Sequence, residues 1–292
     1  MARSTGSFAG STEGPKNGPR DELLAFPRPS LAVDVAVLTV APTSQAASRI
    51  GSADVGSGAR RSDTEANGGG AAGSLVLCVL LLRRAELPAA GRWGLPGSFV
   101  RDRERLHAAV LRTLDVKCGI SGLAPRQLRV FDDPGRDDRG WVVSVAHVDV
   151  VPIGAIASAV STSAELSLAV VDTRLGSPGP SAVGSRPTPS VQLPGKQRFL
   201  PFDHDEIVAL AVSDLRDRYR ARPDPAGLVG DSFTLLELRR VHEAVLGEDL
   251  QKDTFRRQVL PYLEDTGELS DGPVGRPARL FRHSSPSNEV GG

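Results

Sequence analysis

A tract of 34 residues, Ala41 to Ser74, holds 7 Gly, 6 Ser and 8 Ala and separates two of the most apolar runs in the chain. Such a segment cannot bury enough apolar surface to offset the entropy of ordering it. Leu31 to Val40 before it and Leu75 to Leu82 after it must therefore meet across an enlarged loop. Closure entropy grows slowly with loop length, so two sheet neighbours tolerate such a connection. Gly176 to Arg198, with 4 Gly, 5 Pro and 4 Ser, reads as a second insertion. Residues 1–27 and 283–292 read as disordered tails. The remainder has to build the core from a chain that is 40% hydrophobic but only 4% aromatic. Formal charge is zero, which excludes a polycation and leaves only a local patch for nucleic acid. Lys16, Lys117, Lys196 and Lys252 are the only lysines. Arginine abundance here follows composition and is weak evidence of phosphate binding.

The apolar pattern gives the elements. Leu31 to Val40 alternates as a strand, with Leu31, Val33, Val35 and Val37 on one side and Asp34 on the other. Leu75 to Leu82 reads as a strand buried on both faces. Gln127 to Phe131, Trp141 to Val151 and Leu166 to Val171 supply further strands. Arg103 to Lys117 sets Leu106, Ala109, Val110 and Leu114 on one helical stripe. Asp205 to Tyr219 does the same with Ile207, Leu210, Ala211 and Leu215, and Asp203 is expected to cap it. A mixed sheet with flanking helices predicts an α+β domain over residues 28–222, with flexible insertions at 41–74 and 176–198. The longest apolar run, Leu75 to Leu82, is far short of the ~20 residues that span a bilayer. No apolar run opens the chain, and Cys78 and Cys118 make neither a disulfide framework nor a zinc site. The expectation is a soluble protein of the reducing cytoplasm, with no membrane contact.

Arg222-Pro223-Asp224-Pro225 is a stiff turn that suits a boundary before a second unit at 231–282. Thr234 and Glu237 stand at capping-box spacing, Leu235, Leu238, Val241, His242 and Val245 follow at helical intervals, and Gly247 ends the helix. A second helix is expected from near Asp253, read as its cap, with Phe255, Val259 and Leu260 inward and Pro261 limiting its length. Gly267 to Leu269, a Gly/Pro turn and Ala278 to Phe281 read as a hairpin. Helix, turn, helix and hairpin in about fifty residues predict a winged helix-turn-helix. Lys252, Thr254, Arg256 and Arg257 would open its recognition helix, facing base edges. Arg276, Arg279 and Arg282 would meet phosphate or the minor groove from the wing. Against this, Asp231 to Arg282 carries 8 basic and 10 acidic residues, the acids gathering at Glu264, Asp265, Glu268 and Asp271. Only segregated charge leaves a basic face. A protein-binding or inert winged helix is the competing reading.

The most informative stretch is Trp93-Gly94-Leu95-Pro96-Gly97-Ser98-Phe99-Val100, then Glu104, Arg112 and Gly119-Ile120. It resembles the Nudix family, whose box runs Gly, five residues, Glu, seven residues, Arg-Glu, an aliphatic, any residue, Glu-Glu, any residue, Gly, aliphatic. Anchored on Gly119, the first Gly falls on Ser98, the first Glu on Glu104, the Arg on Arg112 and the aliphatics on Leu114 and Ile120. The spacing is intact over 23 residues. The resemblance implies a Nudix fold, but its chemistry is missing. In the family, three glutamates after the Arg hold divalent cations against a pyrophosphate, and hard cations need that anionic oxygen. Here those positions are Thr113, Val116 and Lys117. No metal, catalytic residue or cofactor is expected, and Lys117 reads either as a phosphate contact or as a solvated cation.

Phe131-Asp132-Asp133-Pro134-Gly135-Arg136-Asp137-Asp138-Arg139-Gly140 resembles the loop of Nudix proteins that recognise ADP-ribose or NAD-related nucleotides. Phe199 to Ile207 fits the start of the same group's last helix. The resemblance makes Phe99, Arg112, Arg136 and Arg139 candidate ligand contacts. Arg136 and Arg139 can fork onto phosphate oxygens. The alternative is a self-satisfied turn, since Asp133, Asp137 and Asp138 are adjacent. His107, His147 and His204 read as packed histidines rather than ligands.

Phe233 to Leu238, Glu243 to Gly247, Phe255 to Arg257 and Gly275 to Phe281 resemble the winged helix of NrtR-type Nudix-related transcriptional regulators. That resemblance implies a dimeric DNA-binding regulator, a repressor of NAD metabolism genes, whose inactive Nudix domain senses ADP-ribose or a related nucleotide. The alternative is an active Nudix pyrophosphatase on such a nucleotide, and a third reading is a DNA-binding protein without ligand response.

Overall fold

A computed structural model of the chain describes residues 26–47, 74–172, 190–194, 197–270 and 277–284. Most of the expected tails and insertions, and Arg276, lie outside these residues. The first unit is a mixed sheet ordered β5-β6-β1-β2-β7-β8. Its strands are β1 (Ser30–Pro42), β2 (Leu75–Arg83), β5 (Arg126–Phe131), β6 (Val142–Val150), β7 (Leu166–Asp172) and β8 (Ser190–Val191). Two short strands join it: β3 (Trp93–Gly94) pairs with β2, and β4 (Gly97–Phe99) with β1. β1 and β6 run parallel; β1 and β2 are antiparallel neighbours.

The helices are α1 (Thr43–Ala47), α2 (Leu106–Cys118), α3 (Ala157–Thr162) and α4 (His204–Ala221), then α5 (Leu235–Leu246) and α6 (Lys252–Val259). β1 corrects one expectation. It is buried on both faces, with Val33, Val35 and Val37 in one cluster and Ala36, Leu38 and Val40 in the other. A central strand covered by helices on both sides has no solvent face to alternate with.

Two further corrections concern the insertions. The tract expected to be flexible from residue 41 begins with the last two residues of β1 and then α1, where buried Ala46 joins the core. The Thr43 amide and hydroxyl both donate to the Ser74 carbonyl, at 2.8 and 2.7 Å, and so staple the mouth of the loop. Within the second insertion, β8 adds to β7 and Leu193 is buried.

Helix boundaries moved for identifiable reasons. α2 starts at Leu106 because Arg103 sits at φ 56, in the left-handed region, outside any helix. Asp203 flanks α4 without a side-chain cap, because its carboxylate is committed to Arg136. α6 is capped by Gln251, which accepts the Thr254 amide at 2.6 Å, and not by Asp253. The capping box of Thr234 and Glu237 forms as expected, and Gly247 closes α5 in the left-handed conformation.

The second unit pairs β9 (Phe233–Thr234), β10 (Leu263–Leu269) and β11 (Arg279–His283) in the order β10-β11-β9. Phe233, Leu238, Phe255, Val259 and Phe281 form its own core. The opposite stripe of α5, Val241, Ala244 and Val245, belongs to the sheet's core together with Ile207, Ala211 and Leu215 of α4. One helix thus serves two cores.

The joint beside it is polar and buried. Asp224 accepts the Tyr219 hydroxyl at 2.6 Å and the Leu228 and Val229 amides at 2.9 and 3.0 Å. Its own amide donates to His242 Nε2 at 3.2 Å. The His242 ring stands edge-on to Tyr219 and to Phe255. Burial pushes His242 down to about 4, His283 adding repulsion and Asp224 opposing it. Protonating Nε2 would set two donors face to face.

The unfolded chain takes up that proton near pH 6.5 and the folded chain only near 4. The folded state is therefore fully stabilised above 6.5 and loses stability as pH falls towards 4, by up to about 3 kcal/mol. Urea midpoints of wild type and His242→Phe across this window test the assignment. The wild type should weaken more steeply than the variant as pH falls, whereas parallel slopes would remove His242 as the source.

Candidate functional site

The site is built on a buried carboxylate in the central strand. Asp34 of β1 accepts from Ser144 of β6 at 2.6 Å and lies 3.4 Å from Arg136 Nη2. His204, the first residue of α4, completes the set with Nε2 at 3.3 Å from Asp34. His204 Nδ1 accepts the Leu95 amide at 2.9 Å, which leaves the ring proton on Nε2 to point at Asp34. Burial raises the Asp34 carboxyl, but His204, Ser144 and Arg136 together bring it down to about 2. Gly97 passes so close that a Cβ there would overlap Asp34 Oδ1. The Trp93 to Gly97 stretch therefore needs glycine at that position because a charged side chain occupies the space.

Arg136 is a strut rather than a free fork. Its guanidinium grips Asp203 at 2.7 and 2.6 Å, and its side chain is 4% exposed. Arg139 grips Asp137 at 2.9 and 2.6 Å, and its guanidinium lies 4.9 Å from the Phe99 ring and 5.8 Å from the Phe202 ring. The self-satisfied Arg/Asp turn raised for this loop is present for Arg139 only; Arg136 is satisfied from outside the loop, by Asp203. Phe202 holds φ 57, a costly value for a bulky residue, and its ring also carries Arg84 at 4.9 Å.

Around α2, the one glutamate kept at its Nudix position is occupied. Glu104 takes Arg112 on both oxygens, at 2.7 and 2.8 Å, and the Arg101 amide at 2.8 Å. Those hydrogen bonds, from Arg112 first, hold its carboxyl down to about 2. Arg112 also donates to the Phe99 carbonyl at 3.1 Å, so it props the loop. Buried Thr113 donates to the Ala109 carbonyl at 2.7 Å and shares a 2.6 Å contact with Ser98. Val116 is exposed. Lys117 donates to the Gly97 carbonyl at 2.7 Å, instead of standing free in solvent. Among the described residues, no three His, Cys, Asp or Glu side chains converge as a metal site.

Two cavities adjoin here and share Arg136 and Phe202. An open cleft of about 700 Å³ is lined by Arg92, Arg129, Phe131, Asp133 and Glu206, among others. A smaller pocket of about 130 Å³ is lined by Arg84, Ser98, Phe99, Lys117 and Arg139, above Asp34. Of the expected ligand contacts, Phe99 and Arg139 face the small pocket and Arg136 forms the shared wall; Arg112 stands behind them. Asp34, Phe202 and Arg84 were not anticipated. The only available signal was the Phe202-Asp203-His204 helix start, because the contacts join residues far apart in sequence. His147 is buried, with Nδ1 at 3.0 Å from the Val145 carbonyl, as a packed histidine.

The second candidate surface is α6. Lys252, Thr254, Arg256 and Arg257 are exposed, while Phe255 and Val259 anchor the helix. On the wing, Arg279 pairs with Asp265 at 2.7 Å and Arg282 with Glu264 at 2.8 Å. Glu264, Asp265 and Glu268 thus lie on β10 rather than on a turn, Glu264 and Asp265 neutralise Arg282 and Arg279 locally, and Asp271 lies outside the described residues. Among the described residues no carboxylate pairs with Lys252, Arg256 or Arg257 of α6.

Residues 225–283 match the NrtR DNA-binding winged helix domain. Over 210 residues the chain is 28% identical to the ADPR responsive transcriptional repressor NtrR of Acinetobacter baylyi, covering 70% of this chain and 75% of that one. Over 74 residues it is 35% identical to the ADP-ribose pyrophosphatase of Methanocaldococcus jannaschii, covering 25% and 44%. The crystal structure of Shewanella oneidensis NrtR complexed with a 27mer DNA aligns with a TM-score of 0.58 at 26% identity, over 87% of this chain and 93% of that one. A mixed-sheet Nudix-like unit followed by a winged helix is thus the architecture of the chain. No helix among the described residues is long and apolar enough to cross a membrane.

The packing of Gly97 against Asp34 generates a prediction. Gly97→Ala should cost about 2–3 kcal/mol of stability, as overpacking does. Asp34→Asn, which removes the clashing charge but not the volume, should fail to rescue it. Thermal melts of the two single variants and the double variant decide this; full recovery in the double variant would point to charge instead of space.

Proposed function

We propose that this chain, an NrtR-type Nudix-related regulator in its architecture, is a DNA-binding transcriptional repressor that senses ADP-ribose or a related nucleotide without hydrolysing it. The observation that carries the reading is α6. Two inward anchors, Phe255 and Val259, fix a short helix whose exposed side holds Lys252, Arg256 and Arg257. No carboxylate pairs with these cations among the described residues, whereas Arg279 and Arg282 of the wing are paired. A helix so presented has the form of a recognition helix, with arginines suited to guanine edges. The residues 231–282 serve as the DNA reader and 28–222 as the sensor. A homodimer would set two such helices on an imperfect palindrome in the promoters of NAD metabolism genes, in the cytoplasm.

The competing reading, an active pyrophosphatase, draws support from the short likeness to a pyrophosphatase over 74 residues. The site argues against it. Thr113, Val116 and Lys117 occupy the metal-binding positions, and Glu104 is already bonded on both oxygens. A hard cation would have to break that pairing and would still gain a single carboxylate. The nucleotide reading rests on the aromatic and cationic walls of the adjoining cavities, with Phe99, Arg136 and Arg139 as contacts and Arg112 as their support.

Two measurements test this. In a gel-shift titration on NAD biosynthesis promoters, wild type should bind more tightly than to random DNA. Arg256→Ala should lose about 1–3 kcal/mol and relax one base step. Equal binding by an Arg256/Arg257 double alanine variant would remove α6 as the reader. With Mg²⁺ or Mn²⁺ and ADP-ribose, chromatography should show no AMP or ribose 5-phosphate above background, and turnover abolished by Glu104→Gln would restore the enzyme reading.

A further inference from the structure

The small pocket holds more positive charge than its acids neutralise. Asp34 and Asp137 are engaged with His204, Ser144, Arg136 and Arg139, and Glu86 at the rim is the remaining acid. Arg84 and Lys117 have no carboxylate partner among the described residues. Each is nonetheless fixed. Arg84 donates Nε to the Pro88 carbonyl at 3.2 Å and lies over the Phe202 ring, which leaves the outer nitrogens of its guanidinium unspent. Lys117 spends one of three ammonium protons on the Gly97 carbonyl. Gly97 itself cannot move inward, because Asp34 fills the space beside it.

Two cations held near each other and partly desolvated repel. Burial and Arg139 push the Arg84 guanidinium down against the pull of Asp34, Asp137 and Glu86, and burial and Arg84 push the Lys117 ammonium down against the pull of Glu86. A folded protein gains nothing from that arrangement unless an anion relieves it. The dimensions suit a small one: about 130 Å³, opening beside Phe202 into the wider cleft of about 700 Å³. An ammonium and a planar guanidinium on one pocket match the several oxygens of a diphosphate, the fork taking two and the point charge a third.

We propose that Arg84 and Lys117 form a metal-independent diphosphate site, with the organic part of the ligand lying in the wider cleft. This inference rests on the sensor reading for the identity of the full ligand, but not for the anion itself. The protein's own cations supply the positive charge for the anion, so no divalent ion is required.

Calorimetry on the full chain in EDTA tests it, with inorganic pyrophosphate, ADP-ribose and adenosine as probes. Pyrophosphate should bind and compete with ADP-ribose, and added Mg²⁺ should not strengthen either. Lys117→Met and Arg84→Met keep the apolar stems and should each weaken pyrophosphate and ADP-ribose about tenfold or more, with adenosine unchanged. Melting curves check that the variants fold, and Lys117→Arg should recover most of the affinity. Pyrophosphate that fails to bind, that needs Mg²⁺, or that binds both methionine variants as it does wild type would overturn the site. If ADP-ribose binds wild type and both variants alike, the anion site falls and the sensor reading stands. If pyrophosphate binds through these cations and ADP-ribose does not bind, the anion site stands and the sensor reading falls.

Discussion

Burying the Asp34 carboxylate in the central strand costs free energy that only a full set of partners can offset. Those partners come from everywhere around the pocket. Ser144 arrives from the parallel neighbour β6, His204 from the first turn of α4, and Arg136 from the loop after β5. Arg136 then reaches Asp203, which ties that loop to the start of α4 a second time. Gly97 is forced to be glycine by the same carboxylate, and Lys117 is tethered on the Gly97 carbonyl. The walls of the pocket are thus set by one ion, and its cations are positioned at one remove from it.

This explains which parts were legible in the sequence. The capping box of Thr234 and Glu237, the glycine close of α5 and the buried strand β2 involve neighbours along the chain, or a single apolar run, and each formed as read. The Nudix spacing also pointed to the right stretch, since Ser98, Glu104 and Arg112 sit around one helix. The roles were less legible. Arg136 and Arg139 looked like ligand forks because sequence shows which charges are near one another only locally. Arg139 did find a carboxylate two residues away, but Arg136 found one on the residue before α4. Arg84 follows directly on β2 and carries no local signal; only the fold brings it to Phe202 and Lys117. Asp203 had the right residue type and place for a helix cap, yet a distant guanidinium claimed it.

The winged unit shows the same division. Its net acidity counted against a nucleic-acid surface, but strand pairing resolves the count. Glu264 and Asp265 stand across the ladder from Arg282 and Arg279, so the acids and the wing arginines cancel in place. Lys252, Arg256 and Arg257 of α6 stay outward with no carboxylate partner among the described residues, which a sum over the segment cannot reveal.

The two-sided burial of α5 has a consequence for inheritance. Leu238 and Phe255 pack with the winged unit, while Val241, Ala244 and Val245 are sealed under the sheet beside α4, and Arg216 donates to the Val245 carbonyl at 3.2 Å. Units joined by a loose linker can be traded between genes without repair. Here a winged unit grafted from another chain would bring a stripe cut for a different partner, leaving a cavity or a clash against Ile207 and Leu215. Recombination at this boundary is therefore penalised, and the reader and the sensor have to change together, one compensating substitution at a time.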